Sequence, residues 1–432
     1  MKSKNIKLKE LLLPIYIILN IIFIFVASYL RTSYRIKNVH IAYSYNIILL
    51  INILLIIILF ICRKRKNNLK FNIIDLSLLF VLIFSYISCV FAINKHVALY
   101  GIGGRYEGLY SICYYFSLMF LTSFIDKKHK KMVVLAIVIT GLLQAIYVIL
   151  QMTKLTRWFE INNFFIIYRK VNRIDIWATG FTTNPNFLGS YLLLGLTYSM
   201  GLFFDSKKLI KKIIYIIIFT IFVISLLFSN TLSALVGLFV VYLYVLIYAI
   251  KNKFYRKFII VSFIFIYLLI VMSMLNKTIL LKDTIRMGNE TKEIATGNLD
   301  DNYGTKRMFI WKNTLKVVPN HIIHGVGIDN FYYAFGDEPL KIVSKYFFDK
   351  AHNEYLQILI CEGIFGLLSY LALFGLIVYR GIKNSYKEKS IYLVLPVIGY
   401  LVQAFFNISV IEVAPIFYIS LGLLIDRERV TL

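Results

Sequence analysis

Twelve apolar stretches, each close to bilayer-spanning length, leave this chain little choice of architecture. Crossing the hydrocarbon as a helix takes about 20 apolar residues, with every backbone N–H and C=O satisfied inside the segment. In the 432-residue sequence the stretches lie near 10–30, 42–62, 73–93, 108–125, 132–152, 186–205, 213–229, 231–250, 258–275, 354–379, 391–409 and 411–425. Only Ser229 and Asn230 divide the seventh from the eighth, and the last is short and holds Pro415. The first is expected to stay as an anchor, because its apolar run is long and no small-residue cleavage site stands out. Hydrophobic residues make up 59% of the chain and charged residues 16%, where a soluble domain carries about 25% charged. Mean hydropathy is +0.74. A soluble enzyme, a disordered chain and a secreted disulfide scaffold are thereby excluded. The expected fold is all-α: a polytopic membrane helix bundle of about 12 transmembrane helices with a large, partly helical outer loop. It divides into an N-terminal bundle of nine spans (1–275), an extracytoplasmic loop (276–353) and three C-terminal spans (354–432).

The net charge of +26 is explained by where the cations sit. Basic residues cluster in the N-terminal arm, in 63–70, 126–131, 206–212, 251–257 and 380–389, and in the tail. With twelve spans all of these segments fall on one side. The positive-inside bias then places both termini in the cytoplasm. The charge is a topological signal beside anionic membrane lipid, not a nucleic-acid footprint. Cys62, Cys89, Cys113 and Cys361 fall in or beside apolar runs without metal-ligand spacing, as buried thiols do.

The opposite side carries the loops that hold chemistry, at 31–41, 94–107, 153–185 and 276–353. Long loops in a compact chain are usually functional. In the second, Gly101, Gly103, Gly104 and Gly108 flank Arg105 and Glu107. Either the glycines let backbone and Arg105 approach an anion, or an Arg105–Glu107 turn caps the next span. In the third, Asn184-Pro185-Asn186 ends the loop; Asn186 either caps the following helix or faces the site, and Arg169, Lys170 and Arg173 upstream suit headgroups or an anionic substrate. In the fourth, residues 304–318 look helical, with Arg307 and Trp311 on one face, and Gly325 and Gly327 suggest a bend back over the bundle before Asn330. His321 and His324 are three apart, but no Cys or Glu completes a metal site, and Asp300 and Asp301 either bind a cation or, as is more common, form a solvated acidic loop. His352 and Asn353 stand where this loop meets the tenth span. A neutral imidazole there can take a proton from a hydroxyl, or simply bond backbone at a helix entry. Glu362, inside that span, is expected to face the bundle and find a donor.

Taken in order, these clusters resemble the O-antigen ligase/polymerase superfamily of bacterial membrane proteins. The likeness runs from roughly 100 to 425 and rests on His352-Asn353 followed after nine residues by Gly363 and Gly366. It rests also on Arg307, Trp311, Gly325, Gly327, Asn330 and Phe331, on Gly104, Arg105 and Gly108, and on Gly180 to Asn186. The resemblance implies a metal-independent glycosyltransferase without cofactor. It would move a glycan from an undecaprenyl diphosphate carrier to a hydroxyl of an acceptor glycan, lipid or protein, on the outer face of the cytoplasmic membrane. In that scheme His352 assists the acceptor hydroxyl and Arg307 holds the diphosphate, with Arg105, Glu107, Arg173, Asn186, Trp311, Asn330 and Asn353 around the substrate. Ligase and polymerase differ only in acceptor and stand together at this point. One position departs: Leu232 stands where many relatives carry an arginine, so that Arg105, Arg173 or a different phosphate grip must serve. The competing expectation is a multi-span transporter or flippase of a polysaccharide precursor, which twelve spans would also suit; against it, no pair of matching interrupted spans is visible. A non-catalytic scaffold whose outer loop binds a partner is a third.

Overall fold

The computed structural model describes residues 2–34, 37–65, 72–153, 178–275, 278–297, 300–336 and 348–427. These residues form only helices and loops. In chain order the helices are α1 (Lys2–Tyr34), α2 (Asn38–Arg65), α3 (Ile73–Val90), α4 (Lys95–Tyr100), α5 (Leu109–Thr122), α6 (Lys127–Thr153), α7 (Pro185–Asp205) and α8 (Leu209–Ser229). They continue with α9 (Leu232–Asn252), α10 (Tyr255–Met274), α11 (Leu280–Ala295), α12 (Tyr303–Val317), α13 (Glu354–Glu388), α14 (Val394–Ala404) and α15 (Ala414–Leu424). Among the described residues, nine helices are long and apolar enough to cross a membrane, and α5, α14 and α15 are shorter apolar helices. Every stretch expected as a span is thus an apolar helix, and the protein is an all-α polytopic membrane protein. Arg173, with Arg169 and Lys170, lies outside the described residues, as does the side chain of Cys62.

Burial sorts the helices. Every residue of α7 from Phe187 to Phe204 is buried, so this helix is the axis of the bundle. On α10, by contrast, Ile259, Phe263, Ile266 and Ile270 follow one another at helical spacing and are all exposed, the stripe a lipid-facing helix presents. The three short helices are buried against their neighbours. α14 and α15 have 11 residues each, about 17 Å at 1.5 Å per residue. Two nearly abutting spans were expected there; instead α14 stops at Ala404 and Pro415 opens α15 in its first turn, where a missing N–H costs nothing. The irregular segment 405–413 between them is tolerated because its polar groups are met by protein. Asn407 donates to Ser190 Oγ at 2.9 Å. Glu412 forms a buried ion pair with Arg31 and accepts from Thr183 Oγ1 at 2.9 Å.

Contacts separate two ends of the bundle. At one, Lys127 pairs with Glu388, Lys130 with Asp426, Arg427 with Asp75, and Ser390 bonds Asp205. This end holds the basic loops between α5 and α6, α7 and α8, α9 and α10, and α13 and α14. At the other, Asn94 meets Asn330, Arg105 meets Asp349, and Asn230 accepts from Thr278 and from Ile279 N. The candidate chemistry collects at this second end.

Candidate active site

The site is built on a break in α13. Gly363 adopts φ 75° and ψ −177°, which interrupts the helix after nine residues. The interruption frees backbone groups, and the segment after α12 takes them. Val326 N donates to Ile360 O at 3.0 Å, Gly327 N to Cys361 O at 2.9 Å, and Ile364 N donates back to Ile322 O at 2.7 Å. Ser88 of α3 adds a bond to Cys361 O at 2.7 Å. Gly325 has φ 72°, and a Cβ there would lie 2.1 Å from Cys361 O. The Gly325/Gly327 bend and the Gly363 break are therefore two halves of one interlock, which carries α12 back onto the start of α13. The free thiols Cys89 and Cys361 are buried beside it. Glu362 faces the bundle and accepts from Ser85 Oγ.

His352 sits on the two-residue approach to α13, half-buried, with φ 51°. A left-handed backbone at a residue other than Gly is held only where the surroundings over-determine it. Here they do. Asp349 binds Arg105, with Nε–Oδ2 at 2.6 Å, and Lys350 forms a buried ion pair with Asp329. Ala351 N donates to Gln357 Oε1 at 2.8 Å, and Ala351 O accepts from Trp311 Nε1 at 3.0 Å. Asn353 caps α13 by accepting from Leu356 N at 3.0 Å. Every residue flanking His352 is thus pinned. Burial, reinforced by the positive charge of Arg307 and opposed by Asp349, lowers the imidazole to about 4. It is neutral at any physiological pH.

Arg307 is the second element. It follows three residues with left-handed dihedrals, Gly304, Thr305 and Lys306, which kink the start of α12. Its Nη1 donates to Gly304 O at 3.3 Å, while its Nε is buried without a partner among the described residues. Burial lowers its pKa. A buried donor left unmet costs free energy unless something fills it, and a guanidinium wants a planar or tetrahedral anion. The space beside it is a groove of about 610 Å³. Its walls are the starts of α7 and α9, one face of α11, the first turns of α12 including Trp311, and Phe406. Asn186, Ser233 and Thr305 supply polar atoms; Leu232, Val236, Met287 and Met308 supply apolar ones. A groove that is apolar over most of its wall with a cation set into it suits an amphiphile with an anionic head.

Of the other residues expected at the site, Arg105 faces Asp349 and lies over the Phe187 ring at 5.6 Å. The alternative of an Arg105–Glu107 turn pair is not realised. Glu107 points inward and accepts from Tyr115 OH at 2.7 Å. With Asp329, Lys350, Glu354 and Glu362 it lines a cavity of about 60 Å³, room for a few waters. Burial pushes Glu107 up to about 7 against the pull of Lys350. Asn330 spends its amide on Asn94 N, Asn94 O and Ile328 O. Its position is that of a brace between two loops. The helix-cap alternative for Asn186 is corrected: Asn184 caps α7, accepting from Asn186 N at 2.8 Å, because Pro185 takes the first helical position. Asn186 instead lines the groove. Sequence reasoning missed Asp329, Asp349, Lys350 and Gln357; the Asp349-Lys350 doublet just before His352 was the available signal. Among the described residues, no group of His, Cys, Asp and Glu could hold a metal ion.

One end of the helix bundle thus brings together an amphiphile-sized groove, a buried guanidinium and a pinned imidazole, an arrangement that suits a lipid-borne anion. Residues 216–371, from α8 to the middle of α13, match the family described as O-antigen ligase, which supports a place in the O-antigen ligase superfamily. The matched stretch contains Arg307, Trp311, His352 and the Gly363 break. The family implies a ligase- or polymerase-type glycosyl transfer, with a lipid-linked glycan and an acceptor as substrates. No curated protein gives a significant match to the chain.

Proposed function

We propose that this protein transfers a glycan from undecaprenyl diphosphate to an acceptor hydroxyl on the outer face of the cytoplasmic membrane, as ligase or surface-polysaccharide polymerase. The observation that carries the reading is that Arg307 lies near enough to His352 for its charge to reach the imidazole. The Arg307 charge acts on the imidazole, and Trp311, one turn on from Arg307, is bonded to the residue before His352. In this reading the prenyl tail lies along the apolar wall of the groove and Arg307 binds the diphosphate. His352 accepts the proton of the acceptor hydroxyl as its oxygen attacks the anomeric carbon and the sugar–phosphate bond breaks. The electron pair of that bond leaves on the diphosphate, whose growing charge Arg307 stabilises. Arg105, Asp349, Asp329 and Lys350 hold His352 in place. The basic loops at the far end support an outer-face site, by the positive-inside bias.

The purified protein in lipid nanodiscs, given a glycan on undecaprenyl diphosphate and an acceptor, is expected to transfer it with EDTA present throughout. Transfer that stops in EDTA and returns with a divalent ion would contradict the metal-free scheme. Full absence of transfer with any hydroxyl acceptor would contradict the enzyme reading.

The pH profile follows from His352. A base must be neutral to accept a proton, and this group charges only as pH falls through about 4. The free-enzyme profile, kcat/KM, is therefore expected to be flat from about pH 6 to 8 and to fall only in strong acid. Bound diphosphate offsets the Arg307 charge that helps to hold the imidazole neutral, so the inflection in kcat is expected at higher pH than that in kcat/KM. Coincident inflections near the ordinary histidine value would show that Arg307 does not act on the base.

A further inference from the structure

One face of α11 forms a wall of the groove. Asp283, Arg286, Met287, Glu290, Thr291 and Ile294 all line it, at the spacing of one helical face. Leu281 and Ile285, on another face, are exposed. The helix is anchored at its start, where Asn230 accepts from Ile279 N at 2.8 Å. Among the described lining residues the groove has two cations, Arg307 and Arg286. Arg286 stands in the middle of the α11 face, 54% exposed, with its guanidinium drawn along the helix to Asp283 at 3.1 Å and Glu290 at 3.6 Å. Glu290 also accepts from Gly304 N at 3.0 Å, and Gly304 O accepts from Arg307. The two arginines thus sit on different walls, joined by one carboxylate and one kinked turn.

We propose that Arg286 is a second anion-binding residue of the groove, which leaves its carboxylates to close on the outer phosphate of a diphosphate whose other phosphate is held by Arg307. The arginine end of both pairs is exposed, though Asp283 and Glu290 are largely covered, and ion pairs one turn apart on a helix are weak, so a doubly charged ligand competes with them. Arg307 has no carboxylate to leave among the described residues; its Nη1 meets Gly304 O and Thr305 Oγ1. A diphosphate spans two guanidinium groups on two walls, whereas a monophosphate satisfies only one. Arg286 therefore sets the preference between them. This inference rests on the functional reading above.

The test uses the full chain in nanodiscs with two probes, undecaprenyl diphosphate and undecaprenyl monophosphate, bound and quantified separately. Arg286→Gln is expected to weaken diphosphate binding about tenfold, the loss of one charge-assisted contact, and monophosphate binding much less. Arg286→Lys is expected to recover part of the loss, since it restores charge without the fork. If Arg286→Gln leaves the preference for diphosphate unchanged, or weakens both lipids equally, the assignment is overturned while the functional reading stands. If the unaltered protein binds neither lipid, the functional reading falls and this inference with it.

Discussion

Replacing His352 by Asn or Ala, or Arg307 by Ala, is expected to lower glycan transfer by about 10²- to 10⁴-fold, the range for removing a general base or a charge-stabilising donor. Stability should not follow. Arg307 has an unmet buried Nε, so removing its side chain strands no charge and relieves a burial cost. Thermal unfolding of Arg307→Ala is expected to match or slightly exceed that of the unaltered protein, the pattern of a residue kept for function at the expense of stability. For His352 the Asn variant is the cleaner test. The backbone there is left-handed, with φ 51°, and Asn tolerates that region better than Ala. Rates near normal in both His352→Asn and Arg307→Ala, with the proteins inserted and folded, would remove these residues from the mechanism.

The second large effect is structural. Gly363→Ala would place a Cβ 2.3 Å from Ile323 O on a backbone at φ 75° that only Gly holds without strain. Gly325→Ala would place one 2.1 Å from Cys361 O. Either change must open the bonds that carry α12 onto α13. Each is expected to cost on the order of 3 kcal/mol or more, read as a fall in folded yield and unfolding temperature, with activity lost because Arg307 no longer sits by His352. Gly375→Ala in the same helix is the control: a Cβ there meets nothing within 4 Å, so its unfolding temperature should stay where it was. Equal tolerance at all three glycines would mean that the interlock does not hold the site.

The contrast between what was legible and what was not follows from range. Spans are local in sequence. Twenty apolar residues in a row can satisfy their backbone in lipid only as a helix, and all the expected stretches are apolar helices in the structure. The Asn184 cap is also local, since a proline at the first helical position fixes the cap one residue before it, which decides against the cap alternative for Asn186. The interlock was not local. Nothing in the apolar run from 354 onward says that Gly363 breaks the helix, because the reason lies in the carbonyls and amides of 322–327. The same holds for the supports of His352. Arg105 and Asp349 are 244 residues apart, and two charges at that separation carry no periodic signal. Nor did the residue pattern distinguish a side chain that holds the site from one that meets ligand. Asn330 and Asn353 stand in motif positions, yet their amides brace a loop and cap a helix.

Leu232 is instructive for the same reason. It lines the groove as an apolar residue, at the start of α9. Arg105, the first candidate to compensate, is engaged by Asp349 beside His352. The other groove cation comes instead from α11, which the sequence presented only as part of a polar insertion.

Arg307 and His352 act together only if they share one lipid, and the position of that lipid is the direct measurement. A structure of the protein in nanodiscs with a glycan on undecaprenyl diphosphate is predicted to show phosphate oxygens about 3 Å from the Arg307 guanidinium, the first sugar facing the His352 imidazole, and the prenyl chain along the groove beside Leu232 and Val236. A diphosphate seated at the opposite end, among Lys127, Lys130 and Arg427, or one bound by Arg307 with its sugar turned away from His352, would contradict it.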